Sequence, residues 1–272
     1  MTAVTPVGEM VLGLPEARLR PFVDRYLGYR ERADVPLVRR ESAGVFVVLI
    51  LGWGAPLDVT DPRSAERGVT AVDSFVAGTF DSWCTTRTVG VGEGVELLLA
   101  PLTARRLLGL PLGELTNRAV SVEQLPGHWL DLLRDRLAEV PGWPQRFALL
   151  DRVLAARLLA SPPVDPRLAW AWRWLVASGG RGSVGALADE LGWSRRHLAF
   201  RFRQDVGLPP KMAARLLRFQ QARAVSTEIG ASGRAVDWAA VAAGCGYYDQ
   251  SHLIRDFHQF AGATPAALLA AR

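Results

Sequence analysis

Two stretches decide how this chain is read: LADELGWSRRHLAFRF at 187–202 and VAAGCGYYDQSHLIRDF at 241–257. They repeat one another. Val184, Leu187, Ala188, Leu191, Gly192 and Trp193 correspond to Trp238, Val241, Ala242, Cys245, Gly246 and Tyr247 at an offset of 54 residues. Ser194, Leu198, Phe202, Gly207 and Pro210 correspond to Asp249, Leu253, Phe257, Gly262 and Pro265 at an offset of 55, so one residue is inserted in the turn. In each unit apolar residues at i, i+3, i+4 and i+7 predict a helix that a glycine ends. Ser194 or Asp249 then caps a second helix. That helix buries only Leu198 and Phe202, or Leu253 and Phe257, and leaves its other faces free. This is the pattern of a helix-turn-helix, whose second helix is offered to the DNA major groove.

The free face can be named. In the first unit it carries Arg195, Arg196, Ala199, Phe200 and Arg203, and in the second Gln250, Ser251, Ile254, Arg255 and His258. Arginine can bond guanine bidentately, glutamine can bond adenine, and Ala or Ile can meet a thymine methyl. The bland alternative is a solvated, Arg-rich helix whose side chains touch phosphate or nothing. Between the units, Pro209 and Pro210 suit a helix start. Leu216, Phe219, Gln220 and Arg223 follow helical spacing to about Glu228. Twenty residues of helix span roughly 30 Å, near the ~34 Å that separates successive major grooves. One chain then presents two recognition helices to one face of a duplex.

Charge supports this assignment. The chain has 272 residues and a net charge of +5, with 14 basic and 7 acidic residues from Arg167 onward and a small acidic excess before it. Lys211 is the only lysine, so arginine abundance alone says little about nucleic acid, and the asymmetry between the two parts says more. At 49% hydrophobic the chain is long and apolar enough for one or two cored domains, and is not a disordered tail. Its two cysteines, Cys84 and Cys245, lie far apart, which excludes a disulfide framework and reads as reduced thiols. The longest apolar run, Gly44 to Leu51, is far short of the ~20 residues of a spanning helix. No basic-then-apolar leader is visible at the N-terminus. A cytoplasmic protein with no membrane partner is expected.

A turn-rich run, Ala160 to Pro166, divides the chain into expected domains at 1–164 and 165–272, with helix-turn-helix units at 183–206 and 237–260. In the second domain Leu168, Trp172, Leu175 and Val176 predict a further helix, ended by Gly179 and Gly180. In the first, Val45 to Leu51 reads as a buried strand ended at Gly52, and Val72 to Thr79 and Val95 to Leu99 as further short strands. Glycines 78, 90, 92 and 94 read as turns between them. Thr103 to Leu108, His128 to Val140 and Gln145 to Leu159 read as helices, with Leu130, Leu133 and Leu137 on one face and Leu149, Val153 and Leu154 on another. The expected fold is α+β: a small β-barrel or sandwich with trailing helices, then an all-α domain.

The segment Val241 to Phe257, with Gly262, Thr264 and Pro265, closely resembles the signature of the AraC/XylS family of transcription regulators. Leu187-Ala188 through Phe202 and Gly207 resembles that family's first helix-turn-helix. The resemblance covers Arg167 to Arg272. It implies seven helices with a long helix joining the two units, binding to double-stranded promoter DNA, activation through RNA polymerase, and a bacterial source. Leu253 replaces a common Phe, and Ala267-Leu268-Leu269 replaces a common Tyr-Arg ending. The first region, with Gly78, Leu97-Leu98-Leu99, Pro101, Leu107-Leu108-Gly109 and Glu114-Leu115-Thr116, is similar to one uncharacterised class of regulatory domains. That similarity implies a cupin-like domain which takes a small-molecule effector or serves for dimerisation; monomer and homodimer both remain open.

Other chemistry has less support in the residues. All four histidines, His128, His197, His252 and His258, lie outside the expected β-domain, so no metal site, cofactor or catalytic residue is assigned. Ser64, Ser74 and Ser82 lack a nucleophile elbow. The Gly90-Val91-Gly92-Glu93-Gly94 run lacks the βαβ unit of a dinucleotide site. Cys84 could serve an enzyme or repair protein that uses the helix-turn-helix domain only for targeting. That is the alternative function, and the zinc-type cysteine cluster of such proteins is missing. Trp53, Phe75, Phe80 and Trp83 are candidate linings for an apolar effector, with ordinary core packing as the competing role.

Overall fold

The structure is a computed structural model that describes residues 7–270. Residues 1–6 and 271–272, the outer ends of the two expected domains, lie outside the described residues.

The first half is one antiparallel sheet. Its strands are β1 (Val7–Gly13), β2 (Val23–Glu41), β3 (Val47–Gly52), β4 (Leu57–Asp61), β5 (Ser64–Val72), β6 (Phe75–Ala77), β7 (Cys84–Leu99) and β8 (Ala119–Ser121). They run β1-β2-β7-β3-β6-β8, with the β4–β5 hairpin attached to β7. Strand β7 organises the sheet. One edge pairs with β2 over nearly its whole length, and the other pairs with β3 at its end and β4 at its start.

Strand β3 shows why an unbroken apolar run was needed. Val47, Leu49 and Leu51 face one core, while Val48 and Ile50 face the other. A strand covered on both sides has no polar face to alternate. The first core lies under α1 (Pro101–Leu108), α2 (Trp129–Glu139) and α3 (Trp143–Ala160). Leu130, Leu133, Leu137, Leu149 and Leu154 are buried there, and Val153 is half-buried.

The expectation of turns at Gly90, Gly92 and Gly94 is corrected. All three lie within β7, and the expected strand at 95–99 is only its last part. At Gly94 a side chain would come within 2.7 Å of the Leu51 carbonyl and of the Tyr29 hydroxyl, so the glycine marks close packing inside the sheet. Gly90, at φ +99°, stands where the β2–β7 register shifts between Ala33 and Leu37, a bulge that only a residue tolerant of positive φ serves without strain. The expected strand at 72–79 is reduced to Phe75–Ala77.

The second half is helical: α4 (Pro166–Ala177), α5 (Val184–Glu190), α6 (Arg195–Val206), α7 (Pro210–Ala231), α8 (Trp238–Gly244), α9 (Gln250–Ala261) and α10 (Pro265–Ala270). On α4 the buried stripe is Leu168, Ala171, Trp172 and Leu175, and Val176 is exposed, contrary to expectation. Ala171, at i+3 from Leu168, completes the face in its place. The helical core is continuous with the inner face of the sheet: Ala43, Val45, Ile50, Phe75 and Phe80 belong to the same buried cluster as Phe219, Phe257 and Phe260.

Candidate DNA interface and effector cavity

Each unit is built by the same local chemistry. The Ser183 hydroxyl accepts from the Ala186 amide to start α5, and Asp237 accepts from the Ala239 and Ala240 amides to start α8. The turns pass through Gly192 at φ +65° and Gly246 at φ +77°. Nothing lies within 4 Å of the place a Gly192 side chain would occupy, so its conformation, not space, calls for glycine. The Ser194 hydroxyl then accepts from the His197 amide at 3.1 Å, and the Asp249 carboxylate from the His252 amide at 2.7 Å. These caps also set two rings edge-on, His197 against Trp193 and His252 against Tyr247.

Leu198, Phe202 and Val206 anchor α6, and Leu253, Phe257 and Phe260 anchor α9. Opposite them, Arg195, Arg196, Phe200 and Arg203 are exposed on α6, and Gln250, Ser251, Arg255 and His258 on α9. Ala199 and Ile254 are half-buried, and Ile254 packs against the core. That corrects its placement on a fully outward face: it lies one turn before Phe257 and so beside the buried stripe. Tyr248, 93% exposed in the turn before Asp249, adjoins this surface. Helical spacing could not single it out, because it precedes the helix.

Helix α7 holds the units apart. Its 22 residues make a rod of about 33 Å. Phe219 meets Phe257 edge-on, with ring centres 4.9 Å apart. The Arg215 guanidinium donates to the buried Asp256 carboxylate at 2.6 Å and to Gln259 at 2.7 Å. The second recognition helix is thereby fixed to the rod by rings on one side and a partly buried ion pair on the other.

The sheet domain grips both recognition helices at their C-terminal ends. Thr116 donates its hydroxyl proton to the Gly207 carbonyl at 2.5 Å, and Arg105 pairs with Asp205 at 3.2 Å. Arg40 donates to the Gly262 carbonyl at 2.8 Å, and the Ala43 amide to the Phe260 carbonyl at 2.7 Å. Gly207 and Gly262 are equivalent positions of the repeat, each the left-handed C-cap of its helix. Thr116 belongs to the Glu114-Leu115-Thr116 run of the first-region resemblance, which gave it no such contact, and no sequence signal pointed to Arg40. Both bond to backbone carbonyls, which leave no side-chain pattern.

The inner face of the sheet encloses a cavity of about 370 Å³. Its apolar wall includes Ile50, Val59, Phe75, Phe80 and Leu98, and Gln220 and Arg223 of α7 close one side. Two of the four candidate linings, Phe75 and Phe80, are therefore in place, and two are not. Trp53 packs under the Arg146 guanidinium on the helical side of the sheet, at 4.7 Å. Trp83 lies between the Arg40 guanidinium, at 4.8 Å, and Gly262 at the end of α9. Cys84 lines the cavity as a buried thiol, which burial and the nearby Glu41 and Asp61 carboxylates push up to about 12. A thiol so held is protonated and a poor nucleophile.

Residues 187–271 match the helix-turn-helix domain family. The chain carries an AraC-type DNA-binding domain. It is a DNA-binding transcription regulator. The structure of apo ToxT K231A from Vibrio cholerae is similar in fold, 11% identical over 90% of this chain and 97% of that one, with a TM-score of 0.50. A second ToxT structure from Vibrio cholerae is 11% identical over 90% and 97%, with a TM-score of 0.49. The xylose-binding transcription activator xylR is 19% identical over 47% of this chain and 38% of that one, with a TM-score of 0.34. No curated protein matches the chain. No described helix is long and apolar enough to cross a membrane.

Proposed function

We propose that this AraC-type regulator binds promoter DNA as a single chain, α6 and α9 entering two successive major grooves on one face of the duplex. The observation that carries this is the pairing of two equivalent helices, each with an exposed polar face, across a 22-residue rod. About 33 Å of helix matches the ~34 Å turn of the duplex. Arg195, Arg196, Arg203 and Arg255, together with the helix N-termini, hold phosphates and read base edges. The sheet domain takes a small-molecule effector in its cavity and governs the grip on Gly207 and Gly262. Two reading heads in one chain make a symmetric partner unnecessary for a specific site, although a homodimer would double it. The protein acts in the cytoplasm, where promoter DNA is, meets RNA polymerase there, and catalyses no reaction.

Selection of bound duplexes from a random-sequence pool by the full chain, with a salt titration, tests this. The reading expects an enriched site of two boxes about one helical turn apart. Salt-sensitive binding without enrichment would reduce the protein to a DNA-coating role, and no binding at low salt would remove the DNA-binding claim.

A further inference from the structure

Charges in the cavity wall are unequally matched. Three arginines and three glutamates reach it. Arg39 donates twice to Glu31, at 2.9 and 2.5 Å. Arg25 pairs with Asp24 at 3.2 Å, and Arg223 lies against the Phe219 ring. Glu41 accepts from the Thr86 hydroxyl at 3.1 Å. The Glu96 side chain alone is left without a hydrogen bond or ion pair among the described residues. Its neighbours in register are Leu27 on β2 and Ile50 on β3, so the carboxyl stands on an apolar wall of the cavity. A half-buried carboxylate on an apolar wall is disfavoured without a counter-charge, and a cation that meets it offsets part of that cost.

We propose that the effector is an amine, protonated at neutral pH and carried on an apolar body, with Glu96 as its counter-ion. The inference rests on the reading of this cavity as the effector site. An ammonium group beside Glu96 faces a second carboxylate, Glu41, whose charge reaches Glu96 more strongly than the opposing charge of Arg25. The apolar body meets Ile50, Val59, Phe75, Phe80 and Leu98. A carboxylic acid of the same shape would set a third negative charge beside Glu96 and Glu41, and an alcohol would leave Glu96 without a counter-charge. The cavity lies in the ~300–1,000 Å³ range of small-molecule sites, enough for an arylalkyl amine.

The test is calorimetric titration of the full chain with phenylbutylamine, phenylbutanol and phenylbutyrate at neutral pH, with melting shifts alongside. Phenylbutylamine should bind on the order of tenfold or more tighter than phenylbutanol, the gain of a charge-assisted hydrogen bond, with phenylbutyrate weakest. In Glu96→Gln the amine should lose most of its advantage over the alcohol, with Glu41 retaining the remainder. Equal or tighter binding of the alcohol or the acid would overturn the amine assignment and leave the effector site standing, as would an amine affinity unchanged in Glu96→Gln. Binding of none of the three would overturn the effector site as well. Should Glu96→Gln fail to fold, the order of the three affinities in the wild-type chain decides.

Discussion

Arg255 projects from the exposed face of α9, its Nε held toward the Ser251 carbonyl one turn back at 3.3 Å. Arg255→Ala should weaken binding to a selected site by about 1–3 kcal/mol and relax the preference at one base position if the guanidinium reads a base edge. A uniform loss across all sequences would make it a phosphate contact. Binding titrations on the selected site and its single-base variants separate the two. Glu96 carries a pH prediction. Burial, then the Glu41 charge, hold its carboxyl above the ordinary range, and Arg25 opposes them only in part. The folded chain therefore keeps a proton that the unfolded chain has released. Wild-type stability should fall as pH rises from the ordinary carboxyl value of ~4.3 through the raised folded value. Glu96→Gln lacks that slope, so it should melt higher than wild type above this window and match it below. Melting curves from acid to neutral pH check this; a variant less stable at neutral pH would mean that Glu96 has a stabilising partner.

At the level of elements, α7 and α9 act as one piece. Arg215→Ala would strand the buried Asp256 carboxylate without its cation and should cost roughly 3 kcal/mol. Chemical denaturation reads this directly; a loss below 1 kcal/mol would show that water or Gln259 replaces the guanidinium. The helices were legible in the sequence because their signals are local: Ser194 and Asp249 as caps, Gly192 and Gly246 as turns, and apolar residues at helical spacing. The sheet was legible only in part. Val45 to Leu51 stood out as a buried strand, which the structure places at Val47–Gly52, but β2 and most of β7 carry arginines, threonines and glycines whose pairing is set by long-range register. Glycine looks like a turn in a sequence whether it turns the chain or clears space, and only the neighbouring strands distinguish Gly94 from a loop residue. The apolar patterning of the recognition helices foretold most of their exposed faces. The cavity was harder: Trp53 and Trp83 have the chemistry of a lining, yet the alternation of β3 and the path of the β6–β7 loop turn them to other surfaces.

In the whole molecule one surface serves both halves. Ser42, Ala43 and Gly44 line the cavity, and the Ala43 amide bonds to the end of α9. Gln220 and Arg223, halfway along the rod, close the cavity from the other side. A ligand there touches the piece that sets the distance between the reading heads and the piece that holds the second one. In the proposed mode of binding, the rod and its ties to α9 hold the two heads as a rigid pair. The most direct test inserts five base pairs, half a helical turn, between the two boxes of the selected site and measures the affinity of the full chain. The rigid pair cannot follow the second groove to the opposite face, so affinity should fall to the level of a single box, and a ten-base-pair insertion should not restore it, because the rod cannot lengthen. Unchanged affinity after the five-base-pair insertion would contradict the account, for it would mean that the two helices bind independently or that only one reads DNA.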